Sequence, residues 1–119
     1  MTINKTEENG STLLKLEGRL DTTTAPELEA VLLPELDACE ELLMDFDQLA
    51  YLSSAGLRVL LAGQKKANKL RKVMVIRNVN ETIMEVFEMT GFADILTIEY
   101  QKNWGDRKRK EDSRFSLTV

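Results

Sequence analysis

Residues 41–76 read ELLMDFDQLAYLSSAGLRVLLAGQKKANKLRKVMVI and contain two short apolar runs separated by a longer amphipathic segment. The two runs, Glu41 to Phe46 and Val73 to Ile76, show no strict alternation, which is typical of strands buried on both faces of a parallel sheet. Between them, apolar residues recur at helical spacing from about Ser54 to Leu70. We predict a strand, a helix and a second, parallel strand, joined by a right-handed crossover.

The segments on either side extend this unit into a small sheet. Thr12 to Leu20 alternates apolar and polar residues, so we predict a half-buried strand that pairs with Ile3 to Thr6 in a hairpin. A last strand is predicted from Thr97 to Tyr100, as a candidate edge strand. The prediction is therefore an α/β fold with a small mixed β-sheet of about four to five strands, a parallel βαβ unit and helices packed on the sheet.

Two further helices are predicted on either side of the central unit. The first runs from about Ala25 to Ala38 after a segment rich in capping side chains, and Pro34 should kink or divide it. The third runs from Glu81 to about Thr90, where Asn80 caps its start and Gly91 closes its end. The residues predicted to face inward on the three helices are Leu28, Val31, Leu32 and Leu36, then Leu57, Leu60, Leu61, Ala67 and Leu70, then Ile83, Val86 and Phe87.

Length and composition exclude several classes of protein. The chain has 119 residues, enough for one domain, with 43% hydrophobic and 30% charged residues. It contains no apolar run long enough to span a membrane and begins with a polar segment, so we expect a cytoplasmic protein without membrane insertion. The single cysteine, Cys39, excludes an internal disulfide, and the absence of histidine excludes Ser-His-Asp and Cys-His catalytic systems and the usual zinc and haem sites.

The charges are segregated along the chain. Nine acidic and no basic residues lie between Leu20 and Leu57, and seven basic and no acidic residues lie between Arg58 and Arg77. Neighbouring solvated faces explain this pattern, and a charged docking surface is the alternative. We predict a domain over residues 1–101 and a charged, partly disordered tail over residues 102–119, whose acidic residues and single tryptophan argue against nucleic-acid binding.

Few motifs offer catalytic chemistry. The glycines Gly56 and Gly63 lie inside a helix pattern without the Gly-Lys-Ser/Thr ending of a phosphate loop, and no dinucleotide fingerprint occurs. Asp45 and Asp47 favour an interpretation as turn acids at a strand end, and a Mg²⁺ site supporting an enzyme is the alternative. We therefore predict a protein without enzymatic activity, metal or cofactor.

The serine pair Ser53 and Ser54 marks the predicted start of the second helix. Its simplest role is structural, because a serine hydroxyl at this position accepts a hydrogen bond from an unpaired backbone N–H. The same N–H groups and the positive end of the helix dipole also favour a phosphate there. A phosphoserine would add about −1.5 to −2 charges at an exposed point and would repel a partner docking on it.

Three stretches resemble a known family: residues 18–28 (GRLDTTTAPEL), residues 42–57 (LLMDFDQLAYLSSAGL), and residues 73–76 (VMVI) with residues 86–92 (VFEMTGF). They are similar to the anti-sigma-factor antagonists, bacterial members of the sulfate-transporter and anti-sigma-antagonist (STAS) domain family. The spacing matches from about Ile3 to Tyr100, and the tail lies outside it. An alternative within the family is a ligand-sensing or transport-accessory module without a phosphorylation switch.

The resemblance implies a specific partner-switching function. A serine kinase that is also an anti-sigma factor phosphorylates a serine at the start of the second helix, and a phosphatase restores it. The unphosphorylated antagonist binds the kinase and releases a sigma factor for transcription.

In this sequence the matching serine is Ser54, with Ser53 as the alternative, because Ser53 stands where many members have an aspartate. Asp21 and Asp45 match acidic positions that shape the loop around the serine. The expected partner-binding residues are Asp21, Thr22, Asp45, Ser53, Ser54, Gly56, Leu57, Arg58 and Lys65, with Lys69 on the same basic stripe, and we expect a monomer.

Overall fold

The fold is taken from a computed structural model that describes residues 1–100. It contains a five-stranded sheet in which the strands lie side by side in chain order. Strand β1 is antiparallel to β2, and β3, β4 and β5 continue parallel to β2. The elements are β1 (Thr2–Glu8), β2 (Ser11–Leu20), α1 (Ala25–Ala38), β3 (Glu41–Leu52), α2 (Ser54–Leu70), β4 (Val73–Val79), α3 (Glu81–Thr90), a 3₁₀ turn (Phe92–Asp94) and β5 (Ile98–Tyr100).

This arrangement confirms the predicted mixed α/β sheet, its N-terminal hairpin, the three helices and the parallel βαβ unit. Three successive connections lead from one parallel strand to the next in the same direction across the sheet. Because such connections are right-handed, all three helices lie on one face of the sheet. The core between them is built from alternate strand residues, among them Leu14, Leu16, Leu42 and Met44, all at most 1% exposed.

One prediction about the length of an element is wrong. The strand predicted to end at Phe46 continues to Leu52, because two register shifts between β2 and β3 let the pair extend past the rest of the sheet. Of the kink or division predicted at Pro34, the division does not occur, because α1 is continuous through this residue. Pro34 is exposed, and so is Ala30, the residue whose carbonyl oxygen would otherwise accept the N–H that proline lacks.

The inward faces of the helices match the prediction at most positions. Every predicted inward leucine of α1 is fully buried, and on α2 the predicted inward residues Leu60 and Ala67 are fully buried and Leu57 is 7% exposed. Leu70 is an exception, with 37% exposure, because α2 ends there and Arg71 turns the chain in a left-handed conformation (φ 59°). Val59 is buried although the periodicity did not assign it to the inner face. Val31, Leu61 and Val86 are half-buried.

A buried carboxylate, which the sequence pattern did not indicate, ties α1 to the hairpin. Glu35 is 9% exposed and accepts hydrogen bonds from Thr12 Oγ1 at 2.8 Å and from Lys5 Nζ at 3.1 Å. The hydrogen bond from Thr12, followed by the contact with Lys5, lowers the pKa of Glu35 below its ordinary value against the opposing effect of burial. The charged form of Glu35 therefore stabilises the folded state.

Replacing Thr12 with valine is expected to lower the free energy of unfolding at pH 7 by about 1–3 kcal/mol, because one carboxylate oxygen loses its donor in a buried site. Ionised Glu35 stabilises the folded state at pH values above 4.5, the ordinary pKa of glutamate. This stabilisation is lost as the pH falls through the lower pKa that Glu35 has in the folded protein. The loss should therefore be smaller at pH 3 than at pH 7 when both proteins are unfolded with urea. Thr6→Val, at an exposed position of β1, is the control, and an equal loss for Thr12→Val at both pH values would contradict the account.

None of the helices within residues 1–100 is long and apolar enough to cross a membrane. The predicted tail over residues 102–119 lies outside the described residues.

Candidate functional site

The chain passes from β3 into α2 at a turn made by Ser53 and Ser54. Ser53 is the N-cap residue with an extended backbone (φ −103°, ψ 176°), and Ser54 is the exposed first residue of the helix. The backbone N–H of Ser53 donates a hydrogen bond to the carbonyl oxygen of Leu20 at 2.9 Å, which ties the end of β3 to the end of β2. Asp21 follows Leu20 directly, so the structure brings Asp21 and both serines to one place.

The N-terminus of α2 lacks the side-chain cap that the sequence predicts. Ser53 makes no capping hydrogen bond, and within residues 1–100 its buried Oγ has no hydrogen-bond partner. The helix begins instead with a backbone hydrogen bond from the N–H of Leu57 to the carbonyl oxygen of Ser53 at 3.0 Å. Because the first turn also contains no acidic residue, its N–H groups and positive dipole end are not offset by a side-chain oxygen.

Asp21 organises the neighbouring turn between β2 and α1. Its Oδ1 accepts hydrogen bonds from the backbone N–H groups of Thr23 and Thr24 at 3.0 and 3.1 Å. The hydrogen bond from Thr24 lowers the pKa of Asp21 below its ordinary value, so the carboxylate is ionised at neutral pH. Thr24 is the N-cap residue of α1, but its hydroxyl donates to the carbonyl oxygen of Arg19 at 2.7 Å and does not cap the helix. Thr22 is exposed in the same turn.

Two of the expected partner contacts, Gly56 and Leu57, lie in the interior. Leu57 is 7% exposed. A Cβ atom on Gly56 would lie 2.7 Å from Leu20 Cγ and 2.8 Å from Leu52 Cδ1, so the first turn of α2 approaches the ends of β2 and β3 more closely than a larger residue allows. Both residues are therefore placed to hold the turn in position, and their expected role in partner binding stays a prediction.

Replacing Gly56 with alanine is expected to destabilise the protein by about 1 kcal/mol, because overpacking costs about 1–3 kcal/mol and the better helix propensity of alanine returns up to about 1 kcal/mol. Gly63→Ala is the matched control in the same helix. There the nearest atoms are the flexible ends of Leu32, at 2.7 Å, and Met74, at 3.2 Å, so a smaller loss is expected. Urea unfolding of both variants checks the order, and a larger loss at Gly63 would contradict it.

The predicted basic residues form an exposed stripe on α2. Arg58, Lys65 and Lys69 are all exposed, and their spacing of seven and four residues places them on one side of the helix. We call these three residues the basic stripe. Lys66 lies beside it but contacts α1, where its Nζ is 2.8 Å from an Asp37 carboxylate oxygen. The stripe starts four residues after Ser54 and continues along the helix away from the turn.

Asp45 is separated from the Ser54 turn. It lies opposite Lys15 on β2, whereas Leu52 at the end of β3 lies opposite Leu20. These two positions are five residue steps apart on β2, which corresponds to about 17 Å along a strand. The expectation that Asp45 shapes the loop around the serine is therefore wrong, because β3 continues well beyond it.

Asp45 instead fixes the course of β3. Its Oδ1 accepts hydrogen bonds from the backbone N–H of Asp47 at 2.9 Å and from Asn78 Nδ2 at 3.0 Å. In residues 1–100, no three His, Cys, Asp or Glu side chains are grouped in a way that could hold a metal ion. The Asp45 carboxylate therefore links β3 to Asn78 on β4 and to its own backbone two residues on.

One exposed pair near the turn is not evident from the sequence pattern. The guanidinium carbon of Arg19 lies 4.0 Å from the centroid of the Tyr51 ring. The two residues come from different strands and meet only because of the register shift between β2 and β3. An exposed arginine and tyrosine, each just before a predicted turn, are the only signal that the sequence gives of this contact.

Comparison with known proteins agrees with the fold. A family model described as "Mlab, STAS domain" matches residues 3–97. BtrV from Bordetella bronchiseptica is 33% identical over 91 residues, which cover 76% of this chain and 78% of BtrV. The anti-sigma-B factor antagonist of Staphylococcus aureus is 33% identical over 86 residues, which cover 71% of this chain and 80% of that protein.

Among solved structures, SpoIIAA of Bacillus in its phosphorylated form has a similar fold. Its TM-score is 0.67 at 17% identity, and the match covers 91% of this chain and 100% of SpoIIAA. The family match extends over most of the chain and includes the β3–α2 turn. The resemblance inferred from the sequence is confirmed, and the chain belongs to the STAS domain family.

Proposed function

We propose that this protein is an anti-sigma-factor antagonist that binds an anti-sigma factor while Ser54 is unphosphorylated and so releases a sigma factor for transcription. The observation that carries the proposal is the exposed Ser54 hydroxyl on the first residue of a helix whose N-terminus has no side-chain cap. The S. aureus relative, whose name is anti-sigma-B factor antagonist, supports the same function. The protein acts by binding and does not itself catalyse a reaction.

Phosphorylation of Ser54 would switch the surface without unfolding the domain. A phosphate at this position meets the first-turn N–H groups and the positive end of α2, both of which stabilise an anion. It adds about −1.5 to −2 charges beside the ionised carboxylate of Asp21. A partner surface that accommodates the neutral serine turn would then face like-charge repulsion and the cost of desolvating the phosphate.

Burial supports Ser54 over Ser53 as the acceptor. The hydroxyl oxygen of Ser53 is buried, whereas Ser54 is exposed. We assign phosphorylation to the anti-sigma factor itself, as a serine kinase, and removal of the phosphate to a phosphoserine phosphatase. The protein acts as a monomer in the cytoplasm, where its sigma factor functions.

The docking surface in this proposal includes the turn and the start of the basic stripe. Asp21, Thr22 and Ser54 present polar groups on one side, and Arg58 and Lys65 extend the surface along α2. Exposed basic groups accelerate association with an acidic partner and make it dependent on salt concentration. The partner is therefore expected to offer an acidic patch to α2.

Reconstitution with the purified anti-sigma factor and sigma factor of the source organism tests the function. Adding the unphosphorylated protein to their preformed complex is expected to displace the sigma factor. Gel filtration detects the displacement, because the sigma factor then no longer elutes together with the anti-sigma factor. A sigma factor that stays bound at a tenfold molar excess of this protein would overturn the proposal. The ligand-sensing alternative would then lead, and a saturable rise in melting temperature with a small molecule would support it.

A further inference from the structure

An exposed cation–π pair lies beside the Ser54 turn. Arg19 and Tyr51 are paired across β2 and β3, and the next pair, Leu20 and Leu52, leads directly into the two turns of the site. The Tyr51 side chain is 41% exposed, and the Arg19 guanidinium carbon lies over its ring, 4.0 Å from the centroid. The pair adjoins the site through Asp21, whose Oδ2 lies 3.7 Å from Arg19 Nε, although it comes from the sheet and not from the helix.

A β-bulge creates this contact. Gly18 is opposite Leu49, but Arg19 is opposite Tyr51, so β3 carries one extra residue, Ala50, at this point. Gly18 has a φ of 105°, a conformation that residues with a Cβ atom disfavour. In a regular register without the bulge, Arg19 would face Ala50, so the bulge places the tyrosine ring against the guanidinium group.

The pair faces outward and is held in place before any partner binds. Leu20 and Leu52 are buried, and because side chains alternate along a strand, Arg19 and Tyr51 point to the opposite side of the sheet. Arg19 Nε also lies 3.7 Å from Asp21 Oδ2, so the guanidinium group is positioned between a ring and a carboxylate. Side chains that are already ordered lose less conformational entropy when a complex forms.

We propose that the Arg19–Tyr51 pair is a docking contact for the protein that binds the Ser54 turn, and that this protein presents an acidic side chain beside an apolar surface. The inference rests on the proposed function and adds a second element to the binding surface. Tyrosine and arginine are, with tryptophan, the residue types enriched among energetically dominant interface residues. Arg19 and Arg58 bound the acidic segment over residues 20–57. One cation therefore precedes and one follows the part of the chain that contains the Ser54 turn.

The test measures binding of full-length variants to the purified anti-sigma factor of the source organism by isothermal titration calorimetry. Tyr51→Ala and Arg19→Ala are each expected to weaken binding at least tenfold, while Tyr51→Phe, which keeps the ring, stays within twofold of wild type. Met89→Ala is the matched control, because Met89 is 86% exposed on α3, outside the turn, and it should also stay within twofold. Melting temperatures show whether each variant is folded.

The outcomes separate this inference from the proposed function. Wild-type affinity for both Tyr51→Ala and Arg19→Ala, with loss of binding for Ser54→Asp, would overturn the docking contact and leave the proposed function standing. Equal affinity of Ser54→Asp and wild type would overturn the switch, and the two alanine variants would still decide whether the pair contacts the partner. A loss at Met89→Ala as large as that at Tyr51→Ala would also overturn the inference.

Discussion

Replacing Ser54 with aspartate is expected to lower the affinity for the anti-sigma factor by about 100-fold, because like charges placed against each other at an interface cost several kcal/mol. The substitution puts a negative charge where the phosphate would lie, next to ionised Asp21. It should not reduce folding stability, since an acidic residue in the first turn of a helix is stabilising by about 0.3–1 kcal/mol. Calorimetric titration of the anti-sigma factor with each protein measures the change.

Ser54→Asn is the matched control for this prediction. Asparagine has nearly the size of aspartate but carries no charge, so its effect isolates the electrostatic part. We expect Ser54→Asn to bind at least tenfold more tightly than Ser54→Asp. If both variants lost the same affinity, the switch would depend on the shape of the residue at position 54 and not on its charge.

Replacing Phe87 with alanine is expected to lower the free energy of unfolding by about 3–5 kcal/mol, the range for a large aromatic residue removed from a core. Phe87 is fully buried on α3, and its ring centroid lies 6.5 Å from that of Phe46 on β3. The contact holds the third helix on the centre of the sheet. Because domains are stable by only about 5–15 kcal/mol, this loss removes a large share of the total.

Urea unfolding of Phe87→Ala and Met89→Ala checks that prediction within one helix. Met89 is 86% exposed, so truncating it should change stability by less than about 0.5 kcal/mol. A loss below about 1 kcal/mol for Phe87→Ala would contradict the placement of α3, since core truncations of this size cost several times more.

The sequence was sufficient to predict the architecture because its local signals agree with one another. The apolar runs around Met44 and Val75, the Asn80 cap and the Gly91 stop each indicate an element that the structure contains. Asn80 caps α3 as predicted, accepting a hydrogen bond from the backbone N–H of Ile83 at 2.8 Å. Signals of this kind depend on residues close in the chain, which is why one sequence is enough to find them.

Features that depend on distant residues could not be predicted in the same way. The bond from Thr12 to Glu35 joins residues 23 positions apart, and neither residue signals it locally. The β-bulges that extend β3 toward Leu52 depend on the partner strand, so the sequence pattern ended the strand at Phe46. For the same reason the sequence placed Asp45 at the loop and missed the Arg19–Tyr51 contact.

The candidate site was predicted in position but only partly in its chemistry. The sequence identified the helix start at Ser53 and Ser54 and the adjacent Asp21, and the structure brings these residues together. It did not indicate that the Ser53 hydroxyl turns inward and leaves the helix without a side-chain cap, because the choice of rotamer depends on the packed surroundings. That inward turn is what distinguishes the two serines.

Site-mapped mass spectrometry of the protein recovered from its own cells tests the central claim most directly. The account predicts a phosphate on Ser54, and not on Ser53, in a fraction of the protein that changes with growth condition or stress. Unmodified Ser54 under every growth and stress condition sampled would contradict the account, and Ser54 would then be only the first residue of a helix.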